Sequence, residues 1–212
     1  MVQEIAHSLE YDTHTPPRML IKVDIENVYD ASEWEAILAI LETMNFLEIW
    51  ISWTKTCITS ASFSFLVNGQ LTDWIKNHRR IRQGDPISPY LFLLVSQNLS
   101  AILNRALKIK MVPSFDIRLN TNFNHLIFVD DLIIITRASR STTRHCKLCL
   151  DIYKNLTSQL RNLAKASIHL PIWCNKRICS IIIAIRSINM GSFPVKYLGV
   201  LISLKRLSAY QC

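Results

Sequence analysis

Residues 126–135 read Leu-Ile-Phe-Val-Asp-Asp-Leu-Ile-Ile-Ile and place two adjacent carboxylates between two apolar runs. Apolar runs of this length on both sides of a polar pair predict two strands joined by a tight turn. Asp130 and Asp131 would then lie at one end of a sheet. Because adjacent carboxylates repel each other, the pair is costly unless solvent or a cation compensates its charge. The turn by itself fits a solvated hairpin end and a metal site equally well.

A third carboxylate ends a second apolar strand. Residues 19–24 alternate apolar and polar side chains, as a half-buried strand does, and finish at Asp24, with Asp30 six residues further on. If the two strands are neighbours, Asp24, Asp130 and Asp131 converge at one end of the sheet. Carboxylate oxygens select Mg²⁺, or Mn²⁺, and leave coordination positions for water and substrate phosphates. We therefore expect a site at which two Mg²⁺ ions assist an in-line phosphoryl transfer.

The rest of the chain alternates helices and strands, with no repeat, flexible linker or block of like charge. Asn68-Gly69 is the strongest short signal for a hairpin turn. We expect an α+β fold in a single domain over residues 1–212, with a mostly antiparallel sheet covered by helices. The predicted helices are 33–44, 47–59, 88–110, 142–156 and 176–187, and the predicted strands are 19–24, 62–67, 71–75, 115–119, 123–129, 132–137, a short strand near Ile168, and terminal strands from 195 to 204.

Composition narrows the class of protein. Half of the 212 residues are apolar, and Lys plus Arg number 24 against 16 acidic residues, a formal charge of +8. This excess favours an anionic partner such as nucleic acid, although a surface of merely solvated charges has the same composition. The N-terminus lacks the pattern of a secretory signal, and no apolar run approaches the roughly 20 residues of a membrane-spanning helix. We expect an intracellular protein of the cytoplasm or nucleus that is neither secreted nor bound to a membrane.

Five blocks, in order, resemble the reverse transcriptase domain of non-LTR (LINE-type) retrotransposons, especially those of plants. The second block is the longest and most specific match, and the fourth is the loosest because it is one residue short of the family pattern and lacks its glycine. Asn27-Val28 and Val129 also differ from the residues common in that family. The blocks are KVDIENVYD at 22–30, with Trp34 beyond it, RQGDPISPYLF at 82–92, FVDD at 128–131, LRNLAK at 160–165 and FPVKYLGV at 193–200.

This resemblance implies a polymerase palm with part of the fingers, and it places most of the fingers and the thumb outside residues 1–212. It implies an RNA-directed DNA polymerase that performs nucleotidyl transfer in retrotransposition, with Mg²⁺ ions, an RNA template, a DNA primer and deoxynucleoside triphosphates (dNTPs). The implied metal ligands and catalytic residues are Asp24, Asp130 and Asp131. The implied substrate-binding residues are Ile25, Tyr29, Arg82, Gln83, Gly84 and Lys165, and the implied primer grip is Tyr197, Leu198 and Gly199.

Several of these roles have ordinary structural alternatives. Tyr29 would lie against the incoming sugar and favour deoxynucleotides, or it is a core aromatic residue. Gly84 would let the backbone approach the nascent base pair closely, and Arg82 would contact phosphate, although a plain basic loop has the same composition. Lys165 would assist the leaving pyrophosphate, or it is an ordinary surface lysine.

Three other interpretations of the whole chain stay open. The positioning of substrate and primer supplies much of the rate of phosphoryl transfer. A second interpretation is therefore that this chain, which is short of fingers and thumb, is a catalytically inactive remnant with residual nucleic-acid binding. A group II intron maturase shares the Gln-Gly and Asp-Asp blocks but fits residues 193–200 less well. A zinc module would use Cys146-x2-Cys149 and Cys174-x4-Cys179, whose spacing is irregular, and we favour free thiols instead.

Overall fold

The computed structural model describes residues 17–25, 33–76, 81, 84–117, 121–157, 161–183 and 189–202. Within these ranges the helices are α1 (Trp34–Thr43), α2 (Glu48–Thr59), α3 (Ser88–Lys108), α4 (Arg140–Thr157) and α5 (Lys176–Ile183). The strands are β1 (Arg18–Ile25), β2 (Ser62–Phe63), β3 (Leu66–Val67), β4 (Gln70–Leu71), β5 (Ile75–Lys76), β6 (Phe115–Ile117), β7 (Thr121–Phe123), β8 (His125–Phe128), β9 (Asp131–Arg137), β10 (Arg161–His169), β11 (Asn189–Met190), β12 (Val195–Tyr197) and β13 (Val200–Ile202).

The chain divides into two compact units. The sheet unit consists of Met1–Ile25, Leu99–Ile152 and Arg161–Cys212, and the hairpin unit consists of Glu26–Asn98 and Tyr153–Leu160. The identification of the whole chain as one domain of palm and partial fingers stays a prediction.

A five-stranded sheet in the order β11-β10-β1-β9-β8 forms the centre of the sheet unit. β1 lies between β9 and β10 and is antiparallel to both, β8 is antiparallel to β9, and β11 is parallel to β10. Met19, Leu20 and Ile21 are fully buried, as expected for a central strand. The prediction of an α+β fold with a mostly antiparallel sheet is confirmed.

One face of this sheet is covered by the hairpin of β12 and β13. Directly opposite residues of an antiparallel pair point to the same side, so Leu20 of β1 shares a face with Ile135 of β9, and Lys22 shares it with Ile133. We call this side the hairpin face. The hairpin packs on it through three buried side chains, Val195, Tyr197 and Ile202.

The opposite face of the sheet carries the alternate side chains. Met19 and Ile21 of β1 point to this side and are buried. The Thr143 hydroxyl oxygen of α4 lies 3.5 Å from the Met19 sulfur. α4 therefore lies against this face, and the apolar strands are buried on both sides.

The predicted strand 123–129 is interrupted at Asn124. This side chain is fully buried, and its amide donates to the carbonyl oxygens of Leu103 at 3.0 Å and Val112 at 3.5 Å. Its carbonyl oxygen lies 2.7 Å from His125 Nδ1, so that nitrogen carries the proton, and His125 Nε2 accepts from the Ser100 hydroxyl at 2.6 Å. The polar network ends β7 and starts β8 one residue later, and it joins both to α3.

The other elements agree with the predicted ones to within a few residues, with one exception. The short strand expected near Ile168 is the nine-residue β10, because its polar first half also pairs with β1. The terminal strands expected from 195 to 204 are β12 and β13, which form a hairpin that turns at Leu198 and Gly199. The ends of the helix predicted at 176–187 and of the strands predicted at 115–119 and 195–204 lie outside the described residues.

The hairpin unit contains α1, α2 and two short strand pairs. β3 and β4 are joined at Asn68 and Gly69, whose φ values of 51° and 81° suit a tight hairpin turn. β2 and β5 pair outside them. The predicted Asn-Gly hairpin is confirmed. In the described part of the chain, helices long and apolar enough to cross a bilayer are not found.

Candidate functional site

The ladder between β1 and β9 brings two aspartates directly opposite each other. Asp24 pairs with Asp131 as the last pair of the ladder, and Asp130 precedes it in the turn from β8 to β9. The Ile25 N–H donates to the Asp130 carbonyl oxygen at 2.9 Å and so fastens the turn to β1. The two strands are neighbours, as the predicted convergence requires. We call Asp24, Asp130 and Asp131 the acidic end of the sheet.

The turn at the acidic end is strained at Val129. Its φ is 52°, a left-handed value that a β-branched side chain rarely adopts. A residue held in this region costs about 1–3 kcal/mol, and such strain often lies beside functional groups. Phe128 and Asp131 flank the turn and pair with each other, and this pairing of β8 with β9 keeps the turn in place.

The carboxylates of Asp24 and Asp131 point to the hairpin face, since Lys22 and Asp24 alternate with Val23 along β1. Asp131 Oδ1 lies 3.2 Å from Lys22 Nζ, with both side chains 22% exposed. Among the described residues, no three His, Cys, Asp or Glu side chains are grouped so that they could hold one metal ion. The backbone thus brings the three aspartates to one edge, whereas the side chains do not close around a common point.

Tyr197 lies at the acidic end of the sheet, close to Asp131. It is buried on the hairpin face, and its pKa is raised by burial and by the negative charge of Asp131. The hairpin then turns at Leu198 and Gly199, whose φ values are 50° and 78°. Leu198 is exposed, and a Cβ placed on Gly199 would meet no atom of the described residues within 4 Å. The three residues of the predicted primer grip therefore combine a buried anchor with an open tip.

The remaining predicted site residues come from several parts of the chain. Ile25 is 3% exposed and points to the face opposite the Asp24 carboxylate, so its backbone rather than its side chain reaches the acidic end. Gly84 belongs to the hairpin unit and has a φ of 89°. Lys165 is a residue of β10. Tyr29, Arg82 and Gln83 lie outside the described residues.

Lys22 is a site residue that the sequence reasoning missed. Its Nζ donates to the Lys196 carbonyl oxygen at 2.8 Å in addition to its contact with Asp131. The available signal was its position two residues before Asp24, which puts both side chains on one face of a strand. Its partner in β12 is 174 positions away and had no signal in the sequence.

The cysteines of the described residues do not support a zinc module. Cys146 and Cys149 are buried on α4, and burial raises the pKa of both thiols. Burial also raises the pKa of Cys174 to about 11, with smaller contributions from Cys179. Among the described residues, these thiols do not belong to a group of three or more side chains that could hold a metal ion. The four thiols are free.

Comparison with known proteins finds relatives that match parts of their own length, two of them named after transposable elements. An uncharacterized mitochondrial protein of Arabidopsis thaliana is 40% identical over 68 residues, 32% of this chain and 56% of that protein. The uncharacterized 149 kDa protein of transposon TX1 from Xenopus laevis is 24% identical over 90% of this chain and 14% of its own length. A retrovirus-related Pol polyprotein from the type-1 retrotransposable element R2 of Popillia japonica is 28% identical over 55% of this chain and 18% of its own. The chain thus spans about half or less of each relative.

Solved structures show the same fold at low identity. The apo telomerase of Candida tropicalis, truncated from its C-terminal domain, superposes with a TM-score of 0.58 at 16% identity, over 81% of this chain and 34% of that one. Telomerase of Candida albicans in complex with a fragment of telomeric RNA has the same TM-score at 14% identity, over 79% and 30%. The chain therefore has the fold of a polymerase palm, as predicted.

The family comparison covers nearly the whole chain and includes the acidic end. The family model described as reverse transcriptase (RNA-dependent DNA polymerase) matches residues 3–202. The chain belongs to the reverse transcriptase family.

Proposed function

We propose that the chain carries the nucleotidyl-transfer site of an RNA-directed DNA polymerase that acts in retrotransposition. The observation that carries this proposal is the register pair of Asp24 and Asp131, with Asp130 in the adjoining turn, in a reverse transcriptase family member. The substrates would be an RNA template, a DNA primer and dNTPs. Relatives named after a transposon and a retrotransposable element support this setting.

Asp24, Asp130 and Asp131 would hold Mg²⁺, for which Mn²⁺ would substitute. Three carboxylates are a suitable donor set for these ions, and the backbone brings them to one edge. Asp131 would have to turn its carboxylate from Lys22 toward the ion. When bound, the metal would neutralise the charge that develops on the transferred phosphate and activate the attacking hydroxyl.

The hairpin of β12 and β13 would position the primer. It lies on the face to which Asp24 and Asp131 point, and Tyr197 is near enough to Asp131 to sense its charge. The exposed tip at Leu198 and Gly199 leaves room for a nucleic-acid strand. These features support a role for Tyr197, Leu198 and Gly199 as a primer grip.

The other substrate-binding roles form part of the same proposal. The positive φ of Gly84 and the open space around its Cα support a close approach of backbone to a nucleotide. Ile25 would act through its backbone, which fastens Asp130. Tyr29 would exclude a 2′-hydroxyl, Arg82 and Gln83 would contact the nucleotide, and Lys165 would assist the leaving pyrophosphate.

Primer extension by the purified chain tests the proposal. The assay uses a DNA primer on an RNA template with dNTPs and Mg²⁺ or Mn²⁺. Asp130→Asn should lower the extension rate by at least about a hundredfold, because removal of a metal ligand forfeits several kcal/mol of transition-state stabilisation. Asp73→Asn, an exposed carboxylate of the hairpin unit, is the matched control and should extend at the wild-type rate.

Extension that survives Asp130→Asn would contradict the assignment of the acidic end. A catalytically inactive remnant is the second candidate, and the Lys22–Asp131 pair favours it because this pair occupies a carboxylate that the metal needs. That candidate predicts no extension by the wild-type chain, together with binding of primed RNA that weakens steeply as salt rises.

A further inference from the structure

Lys22 occupies a central place between the acidic end and the hairpin of β12 and β13. Its neighbours on the adjoining strands are Ser167 of β10 and Ile133 of β9. Its side chain points to the hairpin face, where it is 22% exposed. The ammonium group is therefore held between two strands and beneath the hairpin.

This ammonium group has short contacts with two partners among the described residues. It donates to the Lys196 carbonyl oxygen at 2.8 Å and lies 3.2 Å from Asp131 Oδ1. Lys196 is the middle residue of β12, and Asp131 is the first residue of β9. One side chain therefore connects the backbone of the hairpin with a carboxylate of the acidic end.

Apolar side chains of the hairpin also pack on the sheet. Val195, Tyr197 and Ile202 pack with Leu20, Ile133 and Ile135. Apolar packing stabilises the hairpin against the sheet but has no strong directional preference. A hydrogen bond from a charged donor does have one, and it fixes the Lys196 carbonyl relative to β1.

We propose that Lys22 is a positioning residue, whose ammonium group holds the β12–β13 hairpin in register with the acidic end. If Asp131 turns toward a cation, the bond to the Lys196 carbonyl remains and the hairpin keeps its place. The primer that the hairpin would grip would then stay aligned with the metal ligands. The alignment of the primer rests on the proposed function, whereas the contact between Lys22 and the hairpin does not.

Hydrogen–deuterium exchange tests whether Lys22 holds the hairpin, and it does not require the chain to be active. Lys22→Met keeps the length of the side chain and removes the donor, and it should raise the exchange rate of amides in residues 195–202 about tenfold, as expected for the loss of a hydrogen bond to a charged group. Amides of β9 should keep their protection and so show that the sheet is folded. An exchange rate within twofold of wild type in residues 195–202 would overturn the proposal.

Two further variants separate the donor from the charge. Lys22→Arg keeps a charged donor and should restore most of the protection, while Lys22→Gln should exchange several-fold faster than Lys22→Arg. Lys196→Met removes a nearby charge but leaves the carbonyl that accepts from Lys22, so its exchange should match wild type. If Lys22→Met does not fold, equal exchange in the Arg and Gln variants overturns the tie.

Primer extension supplies the functional arm. Lys22→Met should raise the KM for primer at least fivefold, and Lys22→Arg should return KM toward wild type. Faster exchange with an unchanged KM would overturn the positioning role in the reaction. If the wild-type chain extends no primer, the proposed function fails, and the exchange experiment still decides whether Lys22 holds the hairpin.

Discussion

Gly191 is the glycine at which a side chain would meet the most resistance. A Cβ built there overlaps the imidazole ring of His169, whereas one built at Gly69, Gly84 or Gly199 meets nothing within 4 Å. The His169 ring is buried and lies edge-on to Phe193, with ring centroids 5.4 Å apart. The missing side chain at residue 191 is therefore part of how the segment before β12 packs against β10.

Gly191→Ala should lower the free energy of unfolding by about 1–3 kcal/mol, because overpacking forces a buried ring to move. The φ of Gly191 lies outside the left-handed region, so alanine brings no backbone strain there. Urea denaturation measures the effect. In the double variant Gly191→Ala, His169→Ala, the alanine at 191 should cost much less than it does alone, and an equal cost would show that the overlap is not the cause.

At the scale of elements, Asn124 decides where β7 stops and β8 begins. Its buried side-chain amide donates to the carbonyl oxygens of Leu103 and Val112, and its side-chain oxygen accepts from His125. The Ile135 N–H donates to the backbone carbonyl oxygen of Asn124 at 2.8 Å. Side chain and backbone of one residue thus join α3, the loop after it and β9, which begins at the acidic end.

Asn124→Ala should lower the free energy of unfolding by about 2–4 kcal/mol, since it leaves several buried polar groups without a partner. Thermal or urea denaturation would measure the loss. Asn155→Ala, on an exposed position of α4, removes the same amide and should change stability by less than about 0.5 kcal/mol. Comparable losses in both variants would contradict the importance assigned to the buried network.

The elements were predictable where a local pattern decides the structure. Alternation along residues 19–24 predicted β1, and the apolar runs around Asp130 predicted β8, β9 and their turn. Asn124 reads as an ordinary polar position of a strand, and its role depends on carbonyl groups of a distant helix and loop. The polar first half of β10 is a strand because β1 pairs with it, which residues 161–165 do not reveal by themselves. The contact of Lys22 with β12 depends on tertiary packing in the same way.

At the scale of the whole molecule, two buried histidines link stability to pH. Burial lowers the pKa of His125 below the ordinary value of 6.5. Burial also lowers the pKa of His169, with a backbone hydrogen bond at Ser192 acting in the opposite direction and the charge of Lys22 adding to the decrease. At mildly acidic pH these two histidines therefore bind fewer protons in the folded chain than in the unfolded chain.

A folded-state pKa below the unfolded value gives stability that is present above the unfolded pKa and is lost as pH falls. The free energy of unfolding should thus change little between pH 8 and 7 through these groups and decrease from about pH 6.5 downward, by at most about 1.4 kcal/mol per pH unit for each histidine. Urea denaturation across this range should show a shallower slope for the variant His125→Gln, His169→Gln. His145→Gln, a half-buried histidine of α4, is the control, and an equal slope in all three proteins would contradict the assignment.

The central place of β1 also has a consequence for synthesis of the chain. Both neighbours of β1 come from segments about 100 or more residues later, so the strand emerges long before β9 and β10 exist to cover it. Its apolar residues Met19, Leu20, Ile21 and Val23, all buried in the finished sheet, must stay soluble during that interval. The acidic end is accordingly assembled late in folding, and an incomplete translation product that stops before residue 131 exposes an aggregation-prone segment.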